Sequence, residues 1–449
     1  MFSRLKNLYR KTDINNSEVL TVALIGGGLR GMVYTDVMKD YPQKFKVVAV
    51  AEPDEGRRRK LQKTHKIPDD MCFGSWTDIL SKEKLADIAM ICTTDNMHYK
   101  PTMKAIEKGY DIVLEKPVAP TAEECTDIVL AAKEKGVKIL VCHVLRYTAF
   151  FKKIKALLME GAIGEVMSVI HVEAVGNVHQ SHSYVRGNWH SEEESTPMLL
   201  AKCCHDIDIL QWLIDKPCKR VQSFGELTYF RSENAPEGAP LRCIDGGCPI
   251  ENTCPYNCKK LYYYSKDNSW FRPACASGIA KAHVPTDEEI MTALKTTDYG
   301  LCVFHANNNV VDHQVVNMEF EGGKTVSLTM NAFNEGGRYI RIFGTKGELY
   351  ANMSDSKISL YTFDDQKHHK VRVNDRGRIA VDGHGGGDQG MINEMYDYFK
   401  GNYKGFCAAD IDISVKNHLI GFAAEKARKS GTVQSIDEFF KEYKMENDR

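Results

Sequence analysis

Glu115-Lys116-Pro117 sets an acid, an ammonium and a rigid proline directly after an apolar run of strand length, Asp111 to Leu114. At the carboxyl end of a parallel strand, where open α/β proteins bind ligands, a lysine hydrogen-bonds a substrate hydroxyl and stabilises the alkoxide as a hydride leaves. Alone, the tripeptide is a surface lysine beside a turn proline. Two further features aim at the same edge: Thr93-Thr94-Asp95-Asn96 after the preceding strand, and His98 just beyond it. Upstream, Gly26, Gly28 and Gly31 form G-x-G-x-x-G, enclosing Leu29 and Arg30, between an apolar run and a helical pattern starting near Met32. The first glycine permits a tight turn, the second lets backbone approach a pyrophosphate, and the third lets helix and strand pack closely. Phosphate then meets the helix N-terminus. Glycine clusters also fill plain loops, so context decides. Glu52, 21 positions after Gly31 and behind the second strand, accepts from ribose hydroxyls and repels a 2′-phosphate, favouring NAD(H). Arg57 and Arg58 argue the other way, but read more simply as a solvated helix face.

Other reactive types lie downstream. Val175 to Trp189 carries His179, His182, Tyr184, Arg186 and Trp189, the aromatic faces and hydrogen-bonding rims that sugar pockets use. His179 and His182 also form a partial metal set without a clear third ligand. Gly383-His384-Gly385-Gly386-Gly387-Asp388 either brings His384 to a pocket or is a turn in which Asp388 caps the next helix. Cys243, Cys248, Cys254 and Cys258, spaced C-x4-C-x5-C-x3-C, have the ligand number of a structural zinc or an iron–sulfur cluster, without the common two-residue gap. Free thiols or a disulfide are the alternatives.

The elements that must hold these residues follow from periodicity. Val19 to Ile25, Val47 to Ala51, Asp87 to Cys92, Asp111 to Leu114 and Lys138 to Cys142 read as strands alternating with helices, which predicts a doubly wound parallel sheet. Thr121 with Glu124 reads as a capping box, and Gly136 closes the helix that follows. After Arg146 strands bunch at Val166 to Ala174, Val221 to Phe230, Val315 to Phe320, Thr325 to Asn331 and Tyr339 to Phe343. That predicts an α+β unit with an open, mainly antiparallel sheet. The expected division is an N-terminal extension over 1–18, a dinucleotide-binding unit over 19–145 and a second unit over 146–449, with a Cys-bearing insertion at about 232–295. Helices at Gln389 to Phe399 and Ile413 to Lys429 close the chain.

Composition narrows the partners. Across 449 residues, 59 Lys and Arg nearly cancel 60 Asp and Glu, so no net field draws the chain to nucleic acid or a membrane surface. An apolar fraction of 43% is ample for two cores. No stretch approaches the roughly 20 apolar residues of a membrane helix, and Met1 to Glu18 lacks a secretory apolar centre. The default expectation is a cytoplasmic protein whose 14 cysteines are mostly reduced thiols.

The glycine turn, the run Ile91-Cys92-Thr93-Thr94 with His98, Glu115-Lys116-Pro117, and Gly161-Ala162-Ile163-Gly164-Glu165-Val166 together resemble the Gfo/Idh/MocA oxidoreductases. That family includes glucose–fructose oxidoreductase and inositol dehydrogenase. The resemblance spans nearly the whole chain except the insertion. It implies a Rossmann unit, a sheet unit bearing the substrate pocket and often an oligomer interface, and hydride exchange between NAD(H) and a sugar, inositol or polyol. It also implies a helix with His205 and, three residues on, Asp208. The family's acid four residues before the histidine is replaced by Ala201, with Lys202 beside it as a substitute. Lys116 and His205 are then the catalytic pair, His205 having the titration range to take a hydroxyl proton. Lys202, Asp208, His179, His182, Tyr184, Arg186 and His384 are further catalytic or substrate candidates, and Leu29, Arg30, Thr93, Thr94, Asn96, His98, Glu115 and Lys116 join the three glycines and Glu52 as cofactor-binding candidates. The resemblance extends to NAD-dependent glycosidases, which oxidise, eliminate and reduce again; here His179, His182, Tyr184 or His190 is the extra base. It extends also to non-catalytic ligand-sensing regulators, against which Lys116 and His205 speak. A homo-oligomer is the family-level expectation.

Overall fold

The computed structural model describes residues 19–265, 271–280, 284–355, 357–373 and 384–446. The expected extension over 1–18 lies outside them. Residues 20–141 carry six parallel strands: β1 (Leu20–Ile25), β2 (Phe45–Ala51), β3 (Cys72–Phe73), β4 (Ile88–Ile91), β5 (Asp111–Leu114) and β6 (Ile139–Val141), in the order β3-β2-β1-β4-β5-β6. β4 is apolar and buried throughout, and β1 departs from this only at Thr21, because helices cover both sheet faces and no residue parity is left for water. The order reverses between β2-β1 and β4, which opens a crevice at the strands' carboxyl ends. Helix ends follow local chemistry. Thr121 Oγ1 accepts the Glu124 N–H at 3.2 Å, and Gly136 closes the same helix at φ 69°.

The second sheet has nine strands: β7 (Val166–Ala174), β8 (Cys218–Glu226), β9 (His313–Phe320), β10 (Lys324–Asn331), β11 (Gly337–Gly344), β12 (Gly347–Asn352), β13 (Lys357–Thr362), β14 (Lys367–Arg372) and β15 (Gln434–Ser435). Their order is β14-β13-β12-β11-β7-β10-β9-β8-β15, and among the described residues all pairings but β7 with β10 are antiparallel. Here burial alternates, as in β10 and β11, since only one face is covered. Val169, His171 and Glu173 share the covered side of β7, while Ile170 is exposed. Strands β12 to β14 escape the sequence reading because they join by short turns and carry few apolar residues; in β14, Lys367 to Lys370 are all exposed.

One helix clamps the two sheets together. Helix Ile411–Ser430 packs against both helix Ala122–Lys135 and β8, and its capping residue Asp410 bridges to Leu140 of β6. Helix Gly387–Phe399 packs against helix Leu29–Met38. Among the described residues no helix is long and apolar enough to cross a membrane.

Candidate active site

β1 ends at Ile25 and the chain turns at Gly26, whose φ of 95° is left-handed; a Cβ there would lie 2.5 Å from Cys92 O. A Cβ on Gly31 would overlap Gly26 O. Gly28, which caps helix Leu29–Met38, differs: a Cβ would meet nothing within 4 Å. Packing demands two of the glycines, and the third leaves open space over a helix N-terminus, as a pyrophosphate requires. Leu29 is exposed at that rim. Glu52 Oε2 accepts the Gly27 N–H at 2.6 Å and Oε1 the Asp54 N–H at 3.0 Å. The carboxylate thus pins the turn and keeps lone pairs for ribose hydroxyls. These residues fit a dinucleotide. Arg58 donates to Glu52 O (2.6 Å) and Arg57 to Ser277 O (3.3 Å), so both hold backbone rather than only facing water.

Arg30, expected at the cofactor, serves another end. Its Nε meets Glu115 Oε1 at 3.0 Å, Nη2 meets Tyr34 Oη at 2.6 Å, and both terminal nitrogens bind the buried Asp388 carboxylate. A guanidinium enclosed by two carboxylates is a brace between the end of β5 and helix Gly387–Phe399, not a free phosphate ligand. Glu115 also accepts from Tyr34 Oη (2.5 Å) and from Lys116 N (2.8 Å). Burial alone would raise its carboxyl pKa, yet the Arg30 and Lys116 charges hold it below the usual range. His98 is likewise internal: its ring nitrogens face Pro117 O (2.6 Å) and Thr93 O (3.0 Å), stapling the loop after β4 to the Lys116 turn. Thr93, Thr94 and Asn96 form that loop, and Asn96 reaches Glu194 O at 3.4 Å.

Lys116 Nζ donates to Ala201 O at 2.8 Å, at the end of the short helix Met198–Ala201. His205 follows on helix Cys204–Ile214, so one carbonyl ties the lysine to the histidine's own turn. His205 Nδ1 is enclosed without a partner, which leaves Nε2 as the ring's route to a substrate. Burial, then the Lys116 charge, holds its pKa well below the usual histidine value. The His384 ring lies 5.7 Å from it, with His143 6.1 Å on another side and His418 5.7 Å beyond His143. Burial lowers the last two to about 4 and about 3. The His418 tautomer follows from geometry: Nε2 accepts the Val118 N–H (3.1 Å), so Nδ1 donates to Ser414 O (2.7 Å).

Beside this centre lies a set that the sequence reading missed. Arg338 on β11 pairs in register with Glu173 on β7, and its Nε lies 2.6 Å from Glu173 Oε2 and 2.8 Å from Asp206 Oδ1. His171 Nε2 is 2.8 Å from Asp206 Oδ1, and Lys202 Nζ is 3.4 Å from Glu173 Oε1. Glu173 thus supplies, from a strand, a carboxylate beside the lysine that stands near the helix's missing acid. Burial raises the Glu173 pKa despite Arg338 and Lys202, and burial lowers that of Lys202 despite Glu173. The available signal was two ionisable residues, His171 and Glu173, at period two on a face that must be covered. Trp189 Nε1 donates to Asp95 Oδ2 at 3.0 Å, joining the loop after β4 to this wall.

Two family descriptions match this chain: the NAD-binding Rossmann fold of the Gfo/Idh/MocA oxidoreductases over residues 20–143, and their C-terminal alpha/beta domain over 155–409. The chain belongs to the Gfo/Idh/MocA oxidoreductase family. Among curated proteins it is 23% identical over 384 residues to the Bacillus subtilis protein YteT, named as an oxidoreductase, covering 81% of this chain and 85% of YteT. It is 28% identical over 210 residues to the 2,7-anhydro-N-acetylneuraminate hydratase of Escherichia coli, covering 46% and 53%. Among solved structures, a levoglucosan dehydrogenase in complex with NADH and levoglucosan shares the fold at a TM-score of 0.67 and 16% identity, covering 93% of this chain and all (100%) of that one.

Within this Gfo/Idh/MocA chain, not every candidate side chain reaches the centre. Asp208 is taken by Arg146, through two bonds of 2.7 Å, and by Asn417 Nδ2 at 2.7 Å, because a buried guanidinium needs a bidentate acceptor. His182 meets Tyr262 Oη at 3.1 Å and stacks on Tyr299 at 4.8 Å, inside the insertion's own core. Arg186 donates to Leu301 O and Tyr256 O there. The half-buried His179 ring lies 5.8 Å from Tyr184, and Tyr184 lies 6.0 Å from Trp189, which meets Asp95 of the loop after β4. His384 lies 3.4 Å from Asp388, and Gly386, not Asp388, caps the helix; Gly383 lies outside the described residues. The expected zinc or iron–sulfur centre is not supported. Cys243, Cys248 and Cys254 line one cavity with Cys302, Cys258 is buried behind Cys243, and among the described residues no three His, Cys, Asp or Glu side chains converge as metal ligands.

Proposed function

We propose that this oxidoreductase exchanges a hydride with a secondary alcohol of a sugar, inositol or related polyol, using NAD(H). The observation that supports the reading is the tie between Lys116 Nζ and Ala201 O, which joins the lysine after β5 to the turn that leads into the enclosed His205. Bound nicotinamide supplies the hydride acceptor. Lys116 donates a hydrogen bond to the reacting hydroxyl, and His205 Nε2 takes its proton as the alkoxide forms. Glu52, anionic where a 2′-phosphate would lie, supports NAD over NADP. Screening aldoses, uronates and inositols for NADH formation at neutral pH tests this. No turnover by chain that demonstrably binds NAD would sink it.

One arrangement favours a second reading, in which oxidation is transient and the net reaction is elimination or hydration. A carboxyl pushed up and an ammonium pushed down bring Glu173 and Lys202 towards matched proton affinities, the condition for moving a proton beside the oxidised carbon. A relative named as an anhydro-sugar hydratase points the same way. Deuterium uptake from solvent into recovered sugar, without NADH accumulating, distinguishes this reading. The exposed Ile170, Phe224, Tyr339 and Tyr350 on the open side of the second sheet support a homo-oligomer.

A further inference from the structure

The segment between β8 and β9 holds a thiol arrangement that the alcohol chemistry does not use. Cys243, Cys248 and Cys254, with Cys302 from nearer β9, wall one cavity together with Arg186 and Glu251. Arg186 is buried; its Nε donates to Leu301 O at 2.8 Å and Nη2 to Tyr256 O at 2.9 Å, while Nη1 has no partner at hydrogen-bond distance. No carboxylate pairs with it among the described residues, since Glu251 faces Lys259 at 3.5 Å. A buried cation without a counter-charge, on the wall of a thiol-lined cavity, favours a thiolate there. The geometry names which one. Cys243 is half-buried at the cavity wall, and its sulfur accepts the Cys258 N–H at 3.4 Å. Cys258, whose backbone N–H makes that bond, has its own side chain fully buried.

We propose that Cys243 and Cys258 form a redox-responsive dithiol, Cys243 reacting with a peroxide and Cys258 resolving the product into a disulfide. The Cys243 thiolate attacks one oxygen of hydrogen peroxide; an S–O bond forms, the O–O bond breaks, and the departing hydroxide takes a proton to become water. Cys258 then gives up its proton, its sulfur bonds to Cys243, and the S–O bond breaks to release a second water. Two thiols are oxidised by two electrons and one peroxide is reduced to two waters. The close contact with Cys258 and the charge on Arg186 hold Cys243 below the usual thiol range. The arrangement touches the pocket wall indirectly: Tyr262, four residues after Cys258, bonds His182, three residues after His179. The proposal does not depend on the identity of the alcohol substrate.

The test uses the full chain, reduced and freed of reductant under nitrogen. Cys243 is expected to react with iodoacetamide at pH 7 at least about ten-fold faster than Cys72, a half-buried thiol whose pKa is raised by burial. One equivalent of hydrogen peroxide is expected to lower the intact mass by about 2 Da and to yield one Cys243–Cys258 cross-linked peptide. Cys258→Ser is expected to gain about 16 Da instead of losing about 2 Da, and to leave a dimedone-reactive Cys243 sulfenic acid. Equal alkylation rates for Cys243 and Cys72, a cross-link from Cys243 to Cys248, Cys254 or Cys302, or co-purifying zinc or iron that shields Cys243 would each overturn the proposal. The alkylation and mass measurements on the unsubstituted chain stand even where the variant does not fold.

Discussion

Lys116 and His205 differ in how they are made ready. The lysine is aimed by a single carbonyl, Ala201 O at 2.8 Å, and the histidine is kept neutral by enclosure. Lys116→Met is expected to lower kcat about 100- to 1,000-fold, the usual effect of deleting one donor to a developing oxyanion. His205→Asn is expected to cost about 100- to 10,000-fold. In both cases NAD affinity, read by fluorescence titration, should stay within about three-fold, because neither residue meets the glycine turn. The histidine's depressed pKa also sets the acid limb of the pH profile. Only its neutral form takes a proton, so kcat/KM for alcohol oxidation should hold level down to pH 6.5 and fall only below that value. An acid limb centred above pH 6.5 would contradict His205 as the base.

The glycine turn and the helix bearing His205 each separate packing from function. A Cβ at position 26 meets Cys92 O, whereas one at position 28 meets open space. Gly26→Ala should therefore destabilise the chain strongly, while Gly28→Ala should cost only the N-cap preference of about 1 kcal/mol and weaken NAD binding at least about ten-fold, its methyl filling the phosphate's approach. Calorimetry alongside NAD titration checks the pair; equal loss of NAD affinity without loss of stability in both would refute the distinction. On the other helix, Asp208 joins Arg146 from the end of the first sheet to Asn417 of the clamping helix. Asp208→Ala leaves a buried guanidinium unpaired and should cost roughly 3–5 kcal/mol in urea unfolding. The folded fraction should keep its kcat, which a catalytic Asp208 would not allow.

Enclosed neutral histidines shape the stability of the whole chain. His143, His182 and His418 are depressed by burial to about 4, about 3 and about 3. Above pH 6.5 they are neutral whether folded or unfolded and add no pH dependence. Below it the unfolded chain binds protons that the folded chain refuses, so stability falls as the pH drops from 6.5 towards 4. At pH 5 each contributes a loss of roughly 2 kcal/mol at most. Urea unfolding at pH 7.5 and pH 5 should show that decline, and His143→Gln should reduce it. Equal stability at the two values would contradict the burial of these rings.

Sequence alone determined what depends on neighbours along the chain. Strand and helix alternation specified the doubly wound sheet, because each apolar run reports its own burial. Gly26, Gly28, Gly31 and Glu52 marked the dinucleotide site, because a βαβ turn brings residues to one edge at fixed spacing. Tertiary structure decided which polar side chains share a cavity. Arg30 reads as a phosphate ligand until Glu115 and Asp388, 85 and 358 residues away, enclose it. Asp208 reads as a catalytic partner until Arg146 and Asn417 take its oxygens. Glu173, whose place in the strand shows that it is covered but not by what, meets Lys202 and Arg338 only when β7, β11 and the helix before His205 converge. A buried charge is placed by its counter-charge, and spacing along the chain says nothing of a partner drawn from a distant element.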